Sequence, residues 1–272
     1  MTSPAESSAA IVRAAVAPLH AEPKVSSPQV SQRLAGHPVS LLESRDDWWR
    51  ARGDDGYEGW VHRGYLSPLN GAAPRDRLRT SLGCAIRDET GERRRLPLGA
   101  LLEESDTLEE GEALSPAICR RVFPRDPSVV AETALERFAG APYQWGGVTP
   151  WGADCSGFVQ TVFALHAVPL PRDAWQQAEA GEPVEGDFWA LRPADLLFFS
   201  DREDRRITHV GLALGPMRMV HLALGRGGYA VEQLDDEDDA YVKALRERYV
   251  FARRVIGAHE HTGKPNLVVV RP

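Results

Sequence analysis

"WGADCSGFVQTVFALHAV", residues 151–168, sets a cysteine between an aspartate and a Ser-Gly pair at the head of an apolar run. Asp154 is a good N-cap, so the pattern predicts a helix beginning near Cys155, with the thiol in its first turn. Unpaired backbone N–H groups and the positive end of the helix dipole favour a thiolate there. Gly157 removes a side chain where another backbone or a substrate can approach. Gly146, Gly147 and Gly152 form a loop able to fold tightly around the sulfur. Three roles compete for Cys155: a buried space-filler, a metal ligand and a nucleophile.

A nucleophile needs a base, and the chain has eight histidines. His166 lies on the same predicted helix, about 16 Å along its axis from Cys155, and cannot touch it. His20, His37 and His62 fall in an upstream β-region, and His259 and His261 in the tail. His209 and His221 sit on two predicted strands, "HVGLALG" (209–215) and "MVHLAL" (219–224), joined across Gly215-Pro216. A hairpin there brings residue 209 opposite roughly residues 221–224, so one imidazole can order the other. That supplies a nucleophile, a base and an orienting group. Zinc is the competing chemistry for one cysteine and two histidines, but C-x-x-C or H-E-x-x-H clustering is missing.

Around this core the texture changes along the chain. "DPSVVAETALERFAGAPY" (126–143) has apolar residues at helical spacing and stops at Gly140 and Pro142. The strand-like runs "DLLFFS" (195–200), "THVGLALG" (208–215), "MVHLAL" and "RYVFARRVI" (248–256) follow the two helices. Helices first and an antiparallel sheet afterwards describe an α+β domain, expected over residues 126–260. Residues 11–69 read as a small all-β barrel, with "RGDDGYEGW" (52–60) as its hairpin signal. Residues 70–125 repeat that texture as a second small β-domain, "LGCAIRDETGERRRLPLGALLEE" (82–104) reading as strand, turn, strand. "FPRDPS" (123–128) is the linker, and residues 261–272 form a tail. The acidic run "QLDDEDDAYVKALRER" (233–248) lacks the glycine and spaced ligands of a calcium loop and reads as a solvated loop entering a short helix.

Composition bounds the function. An apolar fraction of 43% with 26% charged residues is that of a globular protein. A net charge of −7 argues against nucleic-acid and anionic-membrane partners. Three cysteines with no close pair argue against a disulfide framework. The N-terminus lacks a secretory pattern and no apolar run reaches the ~20 residues of a membrane span, so a cytoplasmic location is expected.

With these residues in hand, the sequence resembles the NlpC/p60 family of bacterial cell-wall cysteine peptidases. "PYQWGG" (142–147), "DCSGFVQ" (154–160), "LPRDAWQQ" (170–177), "DLLFF" (195–199), "THVGLAL" (208–214) and "MVHLAL" carry the likeness, which covers about residues 128–257. "DGYEGWVHRGYL" (55–66) resembles bacterial SH3-like (SH3b) domains, which often precede this catalytic domain. The resemblance implies an α+β chain: a papain-like catalytic domain behind one or two SH3b barrels. It implies Cys155 as nucleophile, His209 as general base and later acid, His221 as orienting residue and Tyr143 beside the thiol as an oxyanion donor.

Members with this domain order resemble recycling enzymes that cut the γ-D-glutamyl–diamino acid bond of murein peptides with a free N-terminal L-alanine. In that likeness Asp154 binds the free amine, and Tyr57 of the first barrel reaches over the cleft. Ser156, Arg172 and Asp173 complete the expected substrate-binding set; Arg172 and Asp173 can bind a substrate carboxylate or pair structurally, and the structural role is the favoured one. Ala174 departs from the pattern, since many relatives have serine there. No metal or other cofactor is implied. Two other functions fit less of the sequence: an amidase or acyltransferase on the same thiol scaffold, and a cell-wall-binding protein with an inert peptidase domain.

Overall fold

The computed structural model describes residues 8–69 and 77–257. The expected C-terminal tail therefore lies outside the described residues. The first region consists of strands β1 (Ser8–Val12), β2 (Val16–His20), β3 (Gln29–Leu34), β4 (Pro38–Arg45), β5 (Trp48–Arg52), β6 (Glu58–His62) and β7 (Leu66–Pro68). They form one antiparallel sheet in the order β3-β2-β6-β5-β4-β1-β7. Alternation drives it: along β2, Ala17 and Leu19 are buried while their neighbours are half-exposed, as expected for a sheet with one wet face. Those side chains join Ala10, Val12, Val39, Ala51 and Val61 in the barrel's own core.

The second β-region is smaller than its sequence texture implies. Strands β8 (Arg79–Arg87), β9 (Arg93–Leu102) and β10 (Thr107–Leu114) form a three-stranded antiparallel sheet in the order β10-β8-β9. The expected strand, turn, strand is the β8–β9 hairpin. Three strands cannot close on themselves, so this sheet borrows its core. Ile86, Leu96, Ala100 and Leu102 pack with Leu34 and Ala35 of the first barrel and with Val148 of the next domain. It acts as a wedge between the two.

Helix α1 (Pro116–Val122) leads into the α+β domain, which opens with α2 (Pro127–Phe138). Asp126 caps α2 through the Ser128 and Val129 N–H groups, and Pro127 holds the first helical position, where its missing N–H costs nothing. A two-strand ribbon, β11 (Val148–Thr149) and β12 (Gly152–Ala153), delivers the chain to α3 (Cys155–Leu165). The domain continues with α4 (Ala174–Gln177), β13 (Glu182–Pro183), β14 (Leu196–Phe199), β15 (His209–Gly215), β16 (Arg218–Ala223), β17 (Gly228–Gln233), α5 (Ala240–Glu247) and β18 (Tyr249–Arg254). The sheet runs β13-β18-β14-β15-β16-β17. All of its pairings are antiparallel. α3 lies across β15 and β16, burying Phe158, Val159, Val162 and Phe163 against Val210, Leu212, Val220 and Leu222. The cysteine helix is thus fastened to the two strands that carry the histidines.

Candidate active site

Cys155 is the first residue of α3, and the Asp154 carboxylate caps the helix by accepting from the Gly157 N–H at 2.7 Å. Gly157 is required here: a Cβ at this position would stand 2.1 Å from the Gly147 carbonyl oxygen. The tight glycine loop and the helix start are therefore one packed unit.

The sulfur receives backbone N–H groups from Val210 and Ser156, both of which favour the thiolate. Burial nevertheless pushes the Cys155 thiol well above its usual range, and the neighbouring Asp154 carboxylate adds to that shift. Burial also holds His209 far below the ordinary imidazole value, helped by His221 and the Arg248 guanidinium. Burial thus disfavours the charged form of both the thiol and the imidazole that share this cleft. The thiolate expected from the helix dipole alone is outweighed by desolvation.

The two histidines meet as the hairpin requires. β15 and β16 pair Leu212 with Val220 and Ala213 with Met219. The His209 and His221 rings stand edge to face, with Nε2 of His209 2.9 Å from Nδ1 of His221. His221 is fully buried, and its Nε2 lies 3.1 Å from Oε1 of Glu232 on β17. Register explains the contact. His221 faces Ala230 and Met219 faces Glu232, so His221 and Glu232 are diagonal neighbours on one side of the sheet. Arg226 donates to both Glu232 oxygens, at 2.8 and 2.9 Å, and also reaches Asp239.

Tyr143 is set by backbone. Its N–H donates to the Gly227 carbonyl at 3.0 Å, and it bridges to Ala153 just ahead of the cysteine. Gly228, at φ 151°, allows this approach, because a Cβ there would meet the Ala141 oxygen at 2.2 Å. Burial raises the Tyr143 hydroxyl, with the Cys155 sulfur close enough to add to the effect.

Cys155, His209, Tyr143, Asp154, Ser156, Asp173 and Tyr57 all line one cleft of about 660 Å³. Tyr57 arrives from the first barrel, and its hydroxyl donates to Asp173. Trp145 and Trp175 stand on the rim, and Leu224, Tyr241 and Arg248 line the cleft beside His209. A larger groove of about 1010 Å³ between the β-regions and α3 holds neither Cys155 nor His209.

Arg172 is the expected site residue that the fold removes from the cleft. It is 1% exposed and lies beneath the floor. There it grips both Asp154 oxygens at 2.9 and 2.7 Å and donates to Ser156 Oγ at 2.9 Å. Its Nε donates to Ser31 Oγ of the first barrel at 3.1 Å. Arg172 pairs with Asp154 rather than with Asp173. Asp154 in turn accepts from Gly146, Gly157, Ser156 and both Arg172 nitrogens. Glu232 and Arg226 were not anticipated, nor were Gln29, Ser31 and Gln32, by which β3 grips the catalytic domain. Gln29 donates to the Trp145 carbonyl and Gln32 accepts from the Val148 N–H.

A cysteine heading a helix, packed on an antiparallel sheet that carries a histidine pair, defines the papain-like class of thiol hydrolases. The NlpC/P60 family profile matches residues 140–250 and the bacterial SH3 domain profile residues 15–67. The chain is 31% identical over 269 residues to dipeptidyl-peptidase 6 of Lysinibacillus sphaericus, covering 87% of this chain and 95% of that protein. It is 40% identical over 109 residues to the γ-D-glutamyl-L-lysine dipeptidyl-peptidase of Bacillus subtilis; that match covers 40% of this chain and 36% of the relative. An NlpC/P60 family protein from Bacillus cereus shares the fold, with a TM-score of 0.74 at 19% identity over 92% of this chain and 100% of that one. The chain belongs to the NlpC/P60 family of cysteine peptidases, with a bacterial SH3 domain ahead of the catalytic one.

Proposed function

We propose that this protein hydrolyses the γ-D-glutamyl–diamino acid bond of murein peptides that begin with a free L-alanine, as a cytoplasmic recycling peptidase. The observation that carries this reading is Tyr57. A residue of the barrel stands in the same cleft as Cys155 and hydrogen-bonds Asp173, so the barrel walls the cleft on the side where the peptide's N-terminus would lie.

Cys155 is the nucleophile. Its S–H proton passes to His209 as Sγ bonds to the γ-carbonyl carbon, and the Tyr143 hydroxyl meets the developing oxyanion. Collapse breaks the C–N bond, and His209 returns the proton to the departing amine. Water, deprotonated by the same imidazole, then hydrolyses the thioester and releases L-Ala-D-Glu. His221 orients His209. Burial disfavours a separated thiolate and imidazolium, which favours proton transfer in concert with attack.

The free ammonium is recognised by the acidic end of the cleft. Asp154 already accepts five hydrogen bonds from protein donors, so its oxygens are nearly saturated. Asp173 has more room: it forms the capping box of α4 and accepts from Tyr57 and Trp175, and burial raises its carboxyl above the usual value. An ammonium relieves that buried charge, so we assign Asp173 with Tyr57 the direct contact and give Asp154 and Ser156 the supporting one.

The test is cleavage of L-Ala-γ-D-Glu-L-Lys and of the meso-diaminopimelate peptide, each with and without an N-acetyl cap, followed by mass spectrometry. Acetylation removes the charge that Asp173 meets and lowers kcat/KM by at least about a hundredfold. Equal cleavage of capped and free peptides would sink the amine assignment, and no cleavage of either free peptide would sink the function.

A further inference from the structure

The protons of the histidine pair have a direction, and a buried carboxylate behind them sets it. We propose that Glu232 is a positioning residue for catalysis: its buried carboxylate, clamped by Arg226, fixes the tautomers of His221 and His209 so that His209 presents a bare Nδ1 to Cys155. This rests on the assignment of Cys155, His209 and His221 made above.

Glu232 is 4% exposed, and Oε1 receives Nε of Arg226 at 2.8 Å while Oε2 receives Nη2 at 2.9 Å. Burial alone would raise its carboxyl; hydrogen bonds from His221 and Arg226 override that and bring it down to about 2. Glu232 is therefore an acceptor only. The 3.1 Å contact with His221 then requires the proton on His221 Nε2. A neutral His221 consequently has its lone pair on Nδ1, the atom 2.9 Å from His209 Nε2. That contact requires the proton of His209 on Nε2, and the one ring nitrogen left for the thiol proton is an unprotonated Nδ1. Two hydrogen bonds in series thus let a carboxylate two residues removed from the sulfur set the facing of the base.

Arg226 makes the device rigid. Besides Glu232 it contacts Asp239, the N-cap of α5, and its guanidinium lies 4.3 Å from the centroid of the Tyr241 ring, which lines the cleft. Arg226 also ends the turn whose Leu224 and Gly225 line the same cleft. The carboxylate can neither rotate away nor take up a proton while this clamp holds.

Glu232→Gln tests it. The amide keeps the size of the side chain but can offer an N–H to His221 Nε2. His221 is then free to carry its proton on Nδ1, which turns the proton of His209 onto the nitrogen facing Cys155. Two measurements are made on the full chain: kcat and KM on the free-amine peptide, and the ¹⁵N chemical shifts of the His221 and His209 rings. Thermal melting and circular dichroism accompany both to establish that the variant is folded. The expected result is a fall in kcat of about 10²–10⁴, the scale of a wrong-tautomer triad. KM should stay within about threefold, since Glu232 touches no substrate, and the ring signals should show His221 leaving the Nε2–H form. Glu232→Asp, which keeps an acceptor-only group, should recover at least about tenfold over the amide. A folded Gln variant with kcat within about threefold of wild type overturns the proposal, as does one whose His221 stays in the Nε2–H tautomer. The ring shifts need no substrate, so an error in the assigned peptide bond leaves that outcome readable by itself.

Discussion

Two buried carboxylates flank the cleft, and each is held by an arginine. Asp154 lies beside the cysteine with Arg172 wholly beneath the floor, its side chain 1% exposed. Glu232 lies behind the histidines with Arg226, whose side chain is 28% exposed. The first pair is braced on every side: a loop glycine, a glycine in the first turn of α3, a serine and the first barrel all bond to it. The second is a chain, running from His209 through His221 and Glu232 to a partly exposed Arg226 that Asp239 holds in turn. One pair therefore holds backbone in place, and the other holds protons in place. A buried ion pair is a poor source of net stability against an apolar substitute, but removing one partner of it is costly. The two pairs should respond differently to losing their arginine.

Arg172→Met carries the largest expected effect. It leaves Asp154 charged, nearly unexposed and short of two donors, at a cost of about 3–5 kcal/mol by thermal or denaturant unfolding. Asp154→Asn combined with Arg172→Met removes both charges and should recover part of that loss. If the single variant unfolds within about 1 kcal/mol of wild type, the pair does not hold the floor of the cleft.

The two sides also differed in how much of them the sequence discloses. Around the cysteine the information is local: cap, thiol and close-approach glycine fall within Asp154 to Gly157, and helix-start chemistry reads them directly. His209 and His221 were legible because Gly215-Pro216 marks the hairpin between them. Glu232 was not. Its strand, "GYAVEQ", opens on glycine after a glycine-rich turn and mixes exposed with buried positions, so it gives no strand period to follow. The second β-region shows the opposite failure. Its hairpin was readable, but the sheet stops at three strands because part of its core comes from Leu34 and Val148, residues distant in sequence. Contacts such as that between Gln32 and Val148, 116 positions apart, depend on how domains dock, and no local pattern encodes them.

Arg226→Met should cost less stability than Arg172→Met, about 1–3 kcal/mol, since Arg226 is partly exposed and Glu232 keeps His221 as a partner when its bonds to Arg226 are lost. Its sharper signature is in pH. The folded Glu232 carboxyl lies at about 2, below its ordinary 4.5. The stability it contributes is thus fully present above about 4.5 and is lost as pH falls toward 2. Without Arg226, burial pushes that carboxyl upward. Acid unfolding should then begin at higher pH, and the acid limb of kcat should move the same way, because a protonated Glu232 can donate to His221 and undo the tautomer. Acid titrations of the variant and wild type, followed by circular dichroism and by rate, check both shifts. An unmoved acid limb would detach Arg226 from the histidines and leave it a surface clamp.

Ser31→Ala is the mildest change and bears on why a barrel is attached at all. Ser31 is fully buried on β3 and accepts from Arg172 Nε, so the barrel's only stake in the Asp154 pair through this residue is one hydrogen bond. Its loss strands a buried guanidinium donor, a cost of about 1 kcal/mol. Gln29 and Gln32 still grip the Trp145 and Val148 backbone, so the barrel should stay docked and Tyr57 should stay in the cleft. The expected outcome is a slightly lower melting temperature with kcat/KM on the free-amine peptide reduced no more than about fivefold. A much larger fall in kcat with melting unchanged would mean that the barrel tunes Asp154 electrostatically through Arg172. The two domains would then share one active site in the chemical sense as well as the spatial one.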